Sequence, residues 1–202
     1  MYGIDEKDTT SRENVKNNGE VFTPFVIVEK MLDLIPVDFM KDHSACIIEP
    51  TSGNGQFLVK IFERRVCLGI SIENALNSLI GMEINPDTLV ESHFRLYERV
   101  CAQMRVQGIK PQSKQWWEVA IRCVAIVRNN VFKVKDSLKV MNEYAQGKGD
   151  LAKKKFVFVD PTGNNEVMNV KNREALVAKV KKAFADHKNG KFSKTLAPFF
   201  GD

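Results

Sequence analysis

The sequence predicts an α/β fold: a mostly parallel sheet with helices on both faces. Two observations carry that expectation. Short apolar runs of strand length occur at residues 45–48, 79–82 and 156–159, and stretches with apolar residues at helical spacing lie between them. Each of those runs also stops at an acid, Glu49, Glu83 or Asp160, followed by turn residues or a helix start. In open α/β sheets ligands bind at the carboxyl ends of strands, which is where these acids fall.

The chain has 202 residues, 44% apolar and 27% charged, enough for one core and ordinary in charge. It reads as a polar, mobile N-terminus over 1–18, a cofactor-binding domain over 19–165, and a basic helix and tail over 166–202. No apolar run approaches the roughly 20 residues of a membrane span, and residues 1–18 lack an apolar signal core. A cytoplasmic protein without a membrane partner is expected. Cys46, Cys67, Cys101 and Cys123 form no C-x-x-C pair, so they read as small core residues in a reducing compartment rather than a zinc site. His43, His93 and His187 are isolated and receive no catalytic role. Residues 151–202 carry eleven Lys/Arg against five Asp/Glu, whereas the first 150 carry nineteen against twenty. A basic final quarter suits a polyanion such as nucleic acid, or is a solvated lysine-rich helix face.

In chain order, Thr23 is placed to cap a helix opened by Pro24, with Val28, Met31, Leu32 and Ile35 on one face and Pro36 as its end. The run 45–48 is the first strand. The loop after it, Glu49-Pro50-Thr51-Ser52-Gly53-Asn54-Gly55, leads into a helix from Gln56 to about Arg65. Gly53 and Gly55 permit a sharp turn and close approach of a ligand to the backbone. The helix start offers unpaired N–H groups to an anionic group. The loop lacks the Gly-Lys-Ser/Thr of a Walker A loop and the third glycine of the dinucleotide fingerprint.

Residues 72–80 read as a short helix or loop, then Leu79 to Glu83 as the second strand. Asn85, Pro86 and Asp87 form a helix start, followed by a stripe of Val90, Phe94, Tyr97, Cys101 and Met104, closed by Gly108 and Pro111. An acid at the end of the second strand of a βαβ unit is where ribose hydroxyls are gripped, though Glu83 also suits a helix dipole. Residues 113–128 read as a helix, with 123–127 open to a strand, and Trp116 and Trp117 as packing residues. Asn129 and Asn130 read as a turn before a strand near 131–134. Asp136 either accepts from an exocyclic amine or caps the helix at 138–144. The run 156–159 is a buried strand ending in Asp160 and Pro161.

The order Phe22-Thr23-Pro24, then Glu49 through Gly55, then Glu83-Ile84-Asn85, then Asp136-Ser137-Leu138, then a strand ending in Asp160-Pro161 resembles the amino-methylating DNA methyltransferases. It is similar to their adenine-N6 branch, in which the cofactor loop precedes the catalytic motif. The likeness covers about residues 19–163. It implies a Rossmann-like sheet holding S-adenosylmethionine. Phe22 and Thr23 would lie along the methionine end, and Glu49, Thr51, Gly53 and Gly55 would line the methionine and ribose pocket. Glu83 would take the ribose hydroxyls, Ile84 would flank the adenine, and Asp136 would accept from the cofactor's adenine amine. Asp160 and Pro161 would polarise the amine of a target adenine taken out of the DNA stack.

The sequence departs from that family in two ways. Its catalytic motif carries an aromatic where this chain has Gly163, and about forty residues follow where further strands and a target-recognition domain are usual. The sheet is therefore expected to be incomplete at its C-terminal edge, with a partner chain or a homodimer covering it. A catalytically inactive cofactor- or nucleic-acid-binding subunit is the competing expectation. Methylation of RNA or of a protein amide is a third.

Overall fold

The computed structural model describes residues 23–153, 178, 181, 182, 184, 185 and 194–200. Its helices are α1 Phe25–Leu32, α2 Val37–Lys41, α3 Gln56–Cys67, α4 Ile72–Asn77, α5 Pro86–Val106, α6 Lys114–Asn130, α7 Ser137–Ala145 and α8 Gly149–Ala152. Its strands are β1 Ile47–Glu49, between α2 and α3, β2 Leu79–Glu83, between α4 and α5, and β3 Val131–Lys133, between α6 and α7. The three lie in the order β1-β2-β3 and pair in parallel. Ile47 stands opposite Leu79, Glu49 opposite Gly81, and Glu83 opposite Lys133. The expectation of an α/β fold with a parallel sheet therefore holds over the described residues.

Side-chain alternation splits the sheet between two cores. Leu79, Val131 and Ile47 face a large core built with α1 to α6, from Val28 and Leu32 through Leu58 and Phe62 to Trp116 and Val124. Ile80, Met82, Ile48 and Phe132 face a smaller one closed by Val140 and Met141 of α7 and Leu151 of α8. Helices thus cover both faces. Gly81 lets α3 lie close on β2: a Cβ there would come within 2.6 Å of a Leu58 methyl and 3.0 Å of a Val131 methyl. Leu196 and Phe199, in a 3-10 turn over Lys194–Phe199, are buried in the large core. The Trp116 indole Nε1 donates to the Phe199 carbonyl at 3.1 Å. Trp116 is wholly buried, in keeping with a packing role.

Several boundaries move for identifiable reasons. Pro24, not Thr23, is the N-cap of α1: its φ and ψ of −56° and 142° are extended, and its carbonyl accepts from Ile27 and Val28. With Pro24 itself extended and outside the helix, Thr23 lies one position too early to cap it. Pro36 does more than end a helix; it is the N-cap of α2. Val90 is 52% exposed, and the buried stripe of α5 instead begins with Thr88 and Ser92 before reaching Leu96 and Tyr97. Residues 123–127 are helical, and Asn129 and Asn130 end α6 rather than form a turn. Asn130 Nδ2 donates to the Leu76 and Asn77 carbonyls, which joins the end of α6 to the end of α4. Of the cysteines, Cys101 and Cys123 are buried, and burial pushes the Cys101 thiol up to about 12. Cys67 is exposed at the end of α3 and is no core residue.

Candidate functional site

Glu49 and Glu83 are the last residues of β1 and β2, and Asp136 follows β3 by three residues, so all fall at the carboxyl ends of three adjacent parallel strands. Between β1 and α3 the loop turns through Gly53 at φ +52° and Gly55 at φ +86°, conformations that favour glycine. Gly55 is the N-cap of α3 and brings no side chain to cap it. The head of α3 thus presents first-turn N–H groups and the positive end of a twelve-residue helix.

The loop is stitched to the neighbouring strand. The Ser52 N–H and hydroxyl both donate to the Met82 carbonyl, at 2.8 and 3.1 Å. Met82 directly precedes Glu83, so the turn after β1 is held beside the end of β2. Two contacts bind the loop to α5. Asn54, 1% exposed, reaches Glu91 Oε1 at 3.5 Å. A Cβ on Gly55 would lie 2.5 Å from Ser92 Oγ.

The carboxylates are oriented by their own backbone. Glu83 Oε1 accepts from the Ile84 and Asn85 N–H groups, both at 2.8 Å. That fixes the carboxylate at the strand end and leaves Oε2 without a partner among the described residues. Glu49 Oε1 accepts from the Thr51 N–H and hydroxyl, each at 3.1 Å, so Thr51 turns toward Glu49. Asn85 accepts from the Asp87 N–H at 2.9 Å as the cap of α5. Asp136 Oδ1 accepts from the Lys139 N–H at 3.0 Å and caps α7. The Val134 N–H donates to the Glu83 carbonyl at 2.9 Å and keeps the approach to Asp136 beside Glu83. Ile84 is 57% exposed and Leu138 75% exposed, which leaves an apolar side chain near each of these two acids.

Thr23 is half-buried ahead of α1, and α1 is locked to α3. Arg64 donates to Glu29 Oε2 at 2.6 and 3.0 Å and to Asp33 at 2.7 Å, while Lys60 pairs with Glu29 at 3.2 Å. Phe22, Asp160 and Pro161 lie outside the described residues. The structure therefore brings Glu49, Thr51, Gly53, Gly55, Glu83 and Ile84 to one edge of two paired strands, and Asp136 to the next strand's end.

A separate apolar cavity of about 480 Å³ runs along β1, lined by Leu34, Ile35, Pro36, Phe39, Cys46, Ile47 and Ile48. It is distinct from the glycine loop.

Of the residues that fix the loop, Ser52 and Asn54 stand in the loop motif without an assigned role there, and Glu91 and Ser92 lie outside it. A signal did exist: Thr88 and Ser92, small and four apart on α5, allow a backbone to come close. Comparison with protein-family models, curated proteins and solved structures finds no match to this chain.

Proposed function

We propose that this chain binds S-adenosylmethionine on a Rossmann-like sheet and acts as a methyltransferase on the exocyclic amine of adenine in DNA. One observation carries the reading: a glycine loop opening a helix is stitched by Ser52 to the end of the next parallel strand, where Glu83 stands oriented by two N–H groups. That juxtaposition suits a nucleoside with a charged tail.

The residues fit such a group chemically. Gly53 and Gly55 keep side chains out of the cradle, and the head of α3 offers N–H groups to a carboxylate. Glu83 Oε2 is available to accept from ribose hydroxyls. Ile84 offers an apolar flank for adenine, and Asp136 an acceptor for its amine while it caps α7. When bound, S-adenosylmethionine supplies an electrophilic methyl on a sulfonium. The chain's own part is to orient and to shield. By the resemblance, Asp160 and the Pro161 carbonyl accept hydrogen bonds from the target amine and direct its lone pair. A nucleic-acid substrate is favoured by the basic final quarter and by exposed Lys133 at the end of β3 and Lys135 and Lys139 past it.

A second reading is favoured by one feature of the sequence, Gly163 where the family has an aromatic to stack on the target base. In it the chain binds cofactor or nucleic acid without transfer and acts through a partner protein. Incubation of the purified chain with methyl-labelled S-adenosylmethionine and mixed DNA and RNA tests both. Label in DNA at adenine N6 is expected. Cofactor binding without label in either nucleic acid selects the inactive subunit, and absence of cofactor binding removes the first reading altogether.

A further inference from the structure

Ser92 is a buried serine with no exposure, and its hydroxyl has no hydrogen-bond partner among the described residues. Burying an unmet hydroxyl is unfavourable, and such groups in folded proteins call for a reason. Ser92 sits on α5, the helix that begins three residues after Glu83. Its Oγ, Cβ and Cα would lie 2.5, 3.1 and 3.2 Å from a Cβ on Gly55, so the helix backbone itself presses against the loop. One residue earlier, Glu91 meets Asn54 and is held in turn by Arg95 at 3.0 Å.

We infer that Ser92, with Glu91 beside it, is a positioning residue that sets the distance between the glycine loop and the Glu83 carboxylate and so fixes the length of nucleoside the site takes. The inference rests on the nucleoside reading above. Physically, Glu83, its two backbone donors and the first two turns of α5 move as one unit. The loop rests on that unit through residue 92 and is stitched through Ser52 to Met82, the residue before Glu83. A larger side chain at 92 lifts the loop away from the acid. A smaller one lets the loop settle, and removal of an unmet hydroxyl carries little loss of stability.

The test compares Ser92→Ala and Ser92→Val with the unaltered chain by thermal melting, by calorimetric titration with S-adenosylhomocysteine, and by amide hydrogen exchange at residues 53–56 without ligand. Ser92→Ala is expected to melt within about 2 °C of the unaltered chain, or above it, because removing an unmet buried hydroxyl is close to neutral. It is expected to bind several-fold more weakly. Ser92→Val is expected to bind at least about tenfold more weakly and to exchange the loop amides at least about tenfold faster, with other helices unchanged. A serine that only fills the core would move the melting temperature and leave affinity and loop exchange alone, which overturns the inference. If the unaltered chain binds no S-adenosylhomocysteine, the nucleoside reading fails, and the nucleoside-length claim goes with it. Unaltered loop exchange in Ser92→Val removes the positioning role whatever the chain binds.

Discussion

The two ends of α3 are built on opposite terms. At its head the loop leaves interactions open: two glycines at positive φ, no side-chain cap, and an unmet Ser92 hydroxyl beneath. At its far end the terminal nitrogens of a buried guanidinium are well paired, although Arg65 Nε has no partner among the described residues. The buried Arg65 guanidinium donates to Ser78 Oγ at 2.8 Å and to the carbonyls of Ala45, Asp42 and Phe39 at 3.0, 3.2 and 3.5 Å. Those bonds join the approach to β1, the end of α2 and the turn before β2. Arg64 next to it grips α1. One helix of twelve residues therefore carries an anchor at one end and a receptive edge at the other. Stability concentrated at the anchor allows the loop to keep a shape it does not stabilise by itself.

The contrast is broken most strongly at the anchor. Arg65→Ala strips hydrogen bonds from several buried acceptors at once. A loss of about 3 kcal/mol or more is expected, a fall in melting temperature of about 6–12 °C. Intrinsic ligand affinity in the folded fraction should hold. A melting shift under about 2 °C would mean that the anchor is ornamental. The next effect is at the loop. Gly55→Ala forces a Cβ onto a positive φ and into Ser92, at a cost of about 1–3 kcal/mol, and it should weaken cofactor binding by more than tenfold. If affinity is kept while stability falls, the loop is structural only.

The smallest effect concerns pH at the α1 latch. Burial raises the Glu29 carboxyl, but the Arg64 and Lys60 donors outweigh it and hold the group below its ordinary 4.5. A carboxyl lowered in the folded state contributes its stability above the ordinary value and loses it as pH falls through the folded one. The latch should weaken below pH 4.5, by a fraction of a kcal/mol because Glu29 is part-exposed. Glu29→Gln should flatten the melting temperature between about pH 5 and pH 3 relative to the unaltered chain. Equal slopes in the two would assign the acid sensitivity elsewhere.

Strand positions and the glycine loop were legible because both rest on local chemistry. Short continuous apolar runs, an acid at their end and the Asn85-Pro86-Asp87 helix start are all short-range signals. The Asp136 cap was legible for the same reason, as one of two roles left open. Features that depend on distant parts of the chain were not. Val90 was placed inside because apolar spacing was the only guide. The inward positions are Thr88 and Ser92 because the glycine loop arrives there from more than thirty residues away. Arg65 enters the sequence reading only as the approximate end of a helix. Its burial depends on carbonyls from α2, the turn after it and the entry to β1, which no local pattern announces. Cys67 departs from the expected core role because that expectation rests on the usual burial of free cysteine, which says nothing of where a helix ends.

Calorimetric titration of S-adenosylmethionine into the unaltered chain and into Glu83→Ala bears most directly on the pocket between glycine loop and carboxylate. Saturable one-to-one binding by the unaltered chain is expected, with no detectable binding by Glu83→Ala, which stays folded though it loses two backbone hydrogen bonds. Equal affinity in the two proteins, or no heat from either, would contradict it.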